Sequence, residues 1–292
     1  MALLNSNLVI KQKRPIRFIQ FGDGPLIRGL IDWNLQIINE ETSFQGGIAL
    51  VTNTNSSFGT KLVKQDGRYT VILKDGDQQF EKIISVFDRF LDPVDNFAEY
   101  VHYAENAYLK FIVSDLGKDG WDVNPKDTGF KTAPQTNITR LLAFLYHRYE
   151  NFQGDLSSGF IFLPTEEVNN NGQILKEKLL EAAKLSLDEP KFEEWLVKAN
   201  RFYDTYAKRV VTEAVKDDIK GLQSIRGYTD KLLLLGEYQN EWLIKGDESL
   251  LDYLPFEDTR RPLNIQLVKE LPIREVNNPN LFEKEETGDE KD

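Results

Sequence analysis

Short apolar runs alternate with longer amphipathic stretches along the first two-thirds of the chain. Residues 18–21, 48–51, 111–114 and 160–163 are mostly apolar and only four residues long. Such runs suit strands buried on both faces, as in a parallel sheet covered by helices. Between the first two, Leu26, Leu30, Trp33 and Ile37 recur at helical spacing, and Ile27, Ile31, Leu35 and Ile38 widen the same stripe. That pattern predicts a helix of about 15 residues with Pro25 in its first turn, where a missing N–H is tolerated. Further helices are predicted over 94–106, 136–151 and 173–185, with helical pattern again over 190–206. Residues 68–90 alternate around Lys74-Asp75-Gly76-Asp77, a hairpin signal. Residues 232–235 are strongly apolar, and Trp242, Leu243 and Ile244 read as another strand. Together these predict an α/β fold: a Rossmann-like, mostly parallel sheet with helices on both faces and an antiparallel hairpin insertion.

Composition narrows the partners more than it narrows the fold. With 36 basic and 47 acidic side chains the formal charge is −11, which repels phosphate backbones and anionic membrane surfaces at long range. Nucleic acid and membrane are therefore not expected as partners. A small anion is compatible with that charge, because backbone amides and a helix N-terminus can hold it. Cysteine is absent, which removes disulfides, thiolate catalysis and cysteine zinc sites. His102 and His147 are the only histidines, so no histidine-rich metal site is expected. The N-terminus has no cleavable apolar leader and no segment reaches the length of a membrane span, which makes a cytoplasmic protein the default expectation.

Chemistry concentrates where the first apolar run meets the first helix. Phe21-Gly22-Asp23-Gly24-Pro25-Leu26 places a glycine turn between strand and helix. In that order Gly22 permits a tight turn, Gly24 lets a pyrophosphate approach the backbone, and the helix start supplies free N–H groups. The pattern alone also fits another small ligand, a methyltransferase-type turn, or a purely structural one.

A longer comparison points one way. Phe21 to Trp33 resembles the Phe-Gly-Glu-Gly-Asn-Phe-Leu-Arg-Ala-Phe-Val-Asp-Trp opening of tagaturonate reductases (altronate oxidoreductases), within the mannitol dehydrogenase family. That family shares Gly-x-Gly-x-x-x-Arg, so the resemblance makes Arg28 part of the motif and explains Ile27 where other dinucleotide folds carry a third glycine. Pro25 replaces the usual Asn and removes one amide donor. Thr52 and Asn53 follow the second run and resemble the polar segment ending in Thr-Ser-Phe. The acid that often binds the adenosine ribose is missing there, so only a modest preference for NAD over NADP is expected. Ser114-Asp115 resembles the family's Ser-Asn pair on the nicotinamide side. Glu166-Glu167 lies in a segment resembling Pro-Cys-Glu-Leu, and is read either as solvated loop acids or as one substrate-side acid. Looser matches run through Phe202, Thr205, Arg209, Thr212, Glu237 and Trp242.

The resemblance implies NAD as cofactor and a keto sugar acid or polyol as substrate. It also implies a helical C-terminal domain bearing a Lys-x-x-x-x-Asn-x-x-His segment, which these 292 residues do not contain. The expectation is therefore a Rossmann-like dinucleotide-binding domain over 1–265, followed by a truncated linker and disordered acidic tail over 266–292. No residue here is assigned a catalytic role, and the helical domain is missing or separate. A non-catalytic dinucleotide-binding module is the alternative.

Overall fold

The computed structural model describes residues 2–10 and 12–274. The acidic stretch 283–292 lies outside the described residues. Two sheets pack on either side of one buried helix. The strands of these two sheets, in chain order, are β1 (Ile16–Phe21), β2 (Gly47–Val51), β3 (Tyr69–Asp75), β4 (Gln78–Ile84), β5 (Phe87–Leu91), β6 (Phe111–Ser114), β7 (Ile161–Pro164), β8 (Arg201–Phe202), β9 (Asp204–Glu213), β10 (Leu234–Lys245) and β11 (Ile265–Val268).

The first sheet has the order β5-β2-β1-β6-β7-β8, and every neighbouring pair is parallel. That is the doubly wound arrangement, reversing direction at β1 and β6, where such folds open a crevice beyond the strands' carboxyl ends. One face is covered by helices Asn137–Asn151, Asn171–Ser186 and Pro190–Lys198, which bury Leu141, Phe144, Leu179, Phe192 and Trp195 with Ile19, Ile112 and Phe162.

The opposite face meets the first helix. A turn at Pro25–Ile27, a π-helical turn at Arg28–Asp32 and α-helix Trp33–Glu41 run on as one helix. Its wide apolar stripe has a structural cause. Leu30, Ile31, Trp33, Leu35 and Ile37 are buried in a core shared with Phe18, Ile48 and Leu50 of the first sheet and Val71, Leu234 and Trp242 of the second. A helix enclosed by two sheets needs apolar residues on both covered sides, and Arg28, Asp32, Asn34, Gln36 and Asn39 are buried among them. At Gly29 an added Cβ would lie 2.7 Å from the Val211 side chain, so this helix approaches β9 more closely than a larger residue permits.

The second sheet departs from expectation. The predicted hairpin exists as β3 and β4, paired from Tyr69 with Ile84 to Asp75 with Gln78. It is not an isolated insertion, because β3 also pairs in parallel with β10, which pairs antiparallel with β9 and parallel with β11. Residues 87–90, read within that hairpin, instead belong to the parallel edge strand β5. The helical pattern read over 190–206 is also corrected: the helix ends at Lys198. The Asn200 side chain donates to Leu196 O and accepts from Phe160 N, drawing the chain back into the first sheet. From there Thr205, Ala207 and Arg209 are buried at every second position, the period of a strand. The chain also stays folded past the boundary expected at 265. β11 extends to Val268, and Arg274 donates to Ala207 O and to the Asn169 side chain through its own amide.

Candidate functional site

A cleft of about 440 Å³ opens beyond the carboxyl ends of β1, β2 and β6. It is lined by Phe21, Gly22, Asp23, Gly24, Val51, Thr52, Asn53, Asp115, Leu116, Gly117 and Asn137. Seven of the residues singled out from sequence thus meet in one place. Pro25, Leu26, Arg28 and Ser114 stand behind the lining. Leu116, Gly117 and Asn137 were missed, since they face the cleft only because the sheet brings the β6 loop and the start of helix Asn137–Asn151 together.

The glycine turn is shaped by its neighbours. Gly22 has φ +111°, a conformation L side chains rarely adopt, and a Cβ there would lie 2.4 Å from Asp115 O. The close approach is fixed by the Asp115 amide, which donates to Phe21 O at 2.7 Å. Gly24 is different: its φ is −63°, and a Cβ would meet only the Asp115 carboxylate, at 3.0 Å. Gly24 therefore keeps space open over the turn. The first intrahelical bond runs from Arg28 N to Gly24 O, so the amides of Leu26 and Ile27 precede it and remain for an anion.

Arg28 works from below. Its side chain is fully buried, with Nε donating to Asp23 O at 2.7 Å and Nη2 to Glu213 at 2.7 Å, while the guanidinium stacks over Phe58 and Tyr69. Arg28 is thus a clamp on the turn's backbone. The π-helical turn beside it leaves carbonyls outside the regular ladder. Arg28 O accepts from Tyr69 Oη and Gly29 O from Arg209. Asp32, also buried, accepts from Tyr69 Oη at 2.7 Å, and burial pushes its carboxyl up to about 8 against the opposing pull of that bond and of Arg28.

Thr52 Oγ1 donates to Asp23 Oδ2 at 2.9 Å. A carboxylate therefore stands at the carboxyl end of β2 although the local sequence has none. Asn53 is exposed, and its Oδ1 accepts from Asn55 and Ser56 amides, shaping the approach to helix Ser57–Lys64.

The two adjacent glutamates part ways, as neighbours in an extended segment do. Glu166 is not a solvated acid: it is buried, accepting from Ser114 Oγ and Leu116 N, both at 3.1 Å. Burial, more than those bonds can offset, raises it to about 7. It ties the ends of β6 and β7 and also occupies the Ser114 hydroxyl. Glu167 is exposed, with Arg274 at 4.0 Å. The Asp115 carboxyl is raised as well, by burial first and then by Glu167 and Asp23. A second cleft of about 500 Å³ is lined by Val168, Asn169, Thr205, Tyr206, Lys245 and the stretch 270–274. Among the described residues no helix is long and apolar enough to cross a membrane.

Comparison with known proteins agrees with this geometry. The altronate oxidoreductase of Bacillus subtilis (strain 168) is 35% identical over 246 residues, 83% of this chain and 51% of that protein. The altronate oxidoreductase of Yersinia enterocolitica is 29% identical over 281 residues, 94% of this chain and 58% of that protein. The chain thus spans about half the length of these curated relatives. Among solved structures, Pseudomonas fluorescens mannitol 2-dehydrogenase in ternary complex with NAD and D-mannitol superposes with a TM-score of 0.70 at 16% identity, over 85% of this chain and 55% of that one. A substrate-free D-sorbitol dehydrogenase gives the same score and identity over 92% of this chain and 59% of that one. These two likenesses are of fold. The family model described as the mannitol dehydrogenase Rossmann domain matches residues 16–255, and the chain belongs to that family.

Proposed function

We propose that this chain is the dinucleotide-binding part of an NAD-dependent oxidoreductase that interconverts a keto sugar acid and its hydroxy acid. The observation that carries the reading is the Gly22–Gly24 turn, clamped by Arg28, beneath a cleft at the switch point of a parallel sheet. The open space over Gly24 and the amides of Leu26 and Ile27 suit a pyrophosphate. Asp23 with Thr52 suits the adenosine ribose, and Asp115 lies on the nicotinamide side. Bound NAD would supply the hydride acceptor; the protein's own groups bind and orient it and exclude water. The named activity of the altronate oxidoreductases supports a sugar-acid substrate. So do Lys245 and Arg274, two cations lining the second cleft where a carboxylate would be received.

Calorimetric titration of NADH into the full chain tests this reading. Gly24→Val should abolish binding, because its side chain fills the space over the turn and meets Asp115 while the φ of −63° remains acceptable to valine. Equal NADH affinity in a folded Gly24→Val variant would remove the phosphate assignment.

A further inference from the structure

His102, Glu105 and His147 are brought together far from that cleft. His102 ends helix Phe97–His102, Glu105 sits in the following turn, and His147 lies on helix Asn137–Asn151. His102 Nδ1 and His147 Nε2 each lie 2.8 Å from Glu105 Oε1, and the three ligand atoms are all within 4.8 Å of one another. We propose that these three side chains form a binding site for a divalent transition-metal ion of the zinc type, joining the two helices.

The donor set is chemically complete for such an ion. Two imidazole nitrogens and one carboxylate oxygen are ligands zinc accepts, and three protein ligands leave a fourth position for water. Two histidines suffice for such a site when a carboxylate joins them. The ligand atoms of a tetrahedral site with bonds of ~2.1 Å lie ~3.4 Å apart, so an ion enters with small side-chain rotations. His102, with 74% of its side chain exposed, is free to make them.

The second observation is that the site's base is fixed from within. Arg148, next to His147 on the same helix, is buried, and its Nη1 donates to Ala104 O at 2.7 Å and Asn106 O at 2.8 Å. The backbone on both sides of Glu105 is therefore held to the helix carrying His147, which places two of the three ligands before any ion arrives. Arg148 also donates to Ser158 O and Leu109 O, just ahead of β7 and β6. The cluster thus lies at the amino ends of the strands, across the sheet from the dinucleotide cleft.

Zinc chloride titrated calorimetrically into the chelator-treated full chain tests the site. One equivalent should bind, and NADH affinity should be the same with and without zinc, so failure of the dinucleotide reading would leave this result intact. Losing a residue that merely supports a ligand costs about 10–100-fold in affinity, so His102→Ala and His147→Ala should each weaken binding by at least about tenfold. Zinc should also raise the melting temperature of the wild type and not that of the double variant. The side chains of all three residues are at least partly exposed, so the variants are expected to fold, and Glu105→Gln offers a near-isosteric third test. Wild-type binding no tighter than that of the double histidine variant, whether weak in both or equally strong in both, would overturn the proposal.

Discussion

Replacing Arg28 by lysine keeps a positive charge at the position and removes the fork that the structure uses. The guanidinium donates in three directions: to Asp23 O at 2.7 Å, to Glu213 at 2.7 Å, and more distantly to Leu232 O at 3.4 Å. A lysine has one nitrogen and cannot span them. A buried hydrogen bond from a charged donor contributes about 1.5–3 kcal/mol, and that figure applies to the Asp23 carbonyl. Glu213 has 59% of its side chain exposed, so its share falls to about 0–1 kcal/mol. Losing the stacking over Phe58 removes about 1 kcal/mol more. The total is about 2.5–5 kcal/mol, read as a shift in the urea unfolding midpoint at constant slope. NADH titration at a temperature where the variant is folded should show a second effect. With Asp23 O released, the turn samples conformations that close the phosphate approach, and a population cost of about 1.4 kcal/mol weakens binding tenfold. A loss below about 1 kcal/mol would refute the clamp as a stabilising element. Normal stability loss with unchanged NADH affinity would show that the clamp does not shape the turn.

Three further outcomes follow from the same geometry. Asp32 is held near 8 in the fold against its ordinary 3.8, so its contribution to stability is complete below about pH 4 and is lost as pH rises through about 8. At about 1.4 kcal/mol per unit this amounts to something on the order of 4 kcal/mol between pH 5 and 8, and urea midpoints of Asp32→Asn should lack that slope; parallel curves would contradict the assignment. Asp23→Asn should narrow the preference for NADH over NADPH in direct titrations, because the carboxylate held by Thr52 disfavours a 2′-phosphate; an unchanged ratio would place it away from the ribose, and tighter NADPH than NADH in the wild type would point to Lys61 or Lys64. The 292-residue chain alone should bind NADH yet oxidise it with tagaturonate or fructuronate far below the ~1–10³ per second of ordinary enzymes; turnover in that range would place the acid–base group among residues such as Glu166 and Glu167.

The parts of the site that were legible in the sequence are those written locally. A strand, two glycines and a helix start occupy consecutive positions, and Ser114-Asp115 directly follows its strand, so order along the chain already implied convergence at one sheet edge. What escaped depends on contacts across long separations. The carboxylate missing after β2 is supplied from Asp23, 29 residues earlier, and no window around Thr52 could reveal it. Arg28 reads locally as an exposed helix charge; it is buried because a second sheet, completed by β10 some 200 residues later, closes over the first helix. That sheet was itself hidden for the same reason. Residues 204–206 fall at the end of the helical pattern read over 190–206, and the pairing of Thr205 with Ile244 and Ala207 with Trp242 makes them strand instead, since strand preference is set largely by such partners. The doubled apolar stripe of the first helix was a local sign of the layer that closes over it, since a helix covering a single sheet needs only one apolar face. The stripe from Leu26 to Ile38 is accounted for by that second layer, whose Val71, Leu234 and Trp242 pack against it. The same layer supplies Tyr69, Arg209 and Glu213 to hold the π-helical turn and the clamp, so the second sheet is a structural condition for the glycine turn.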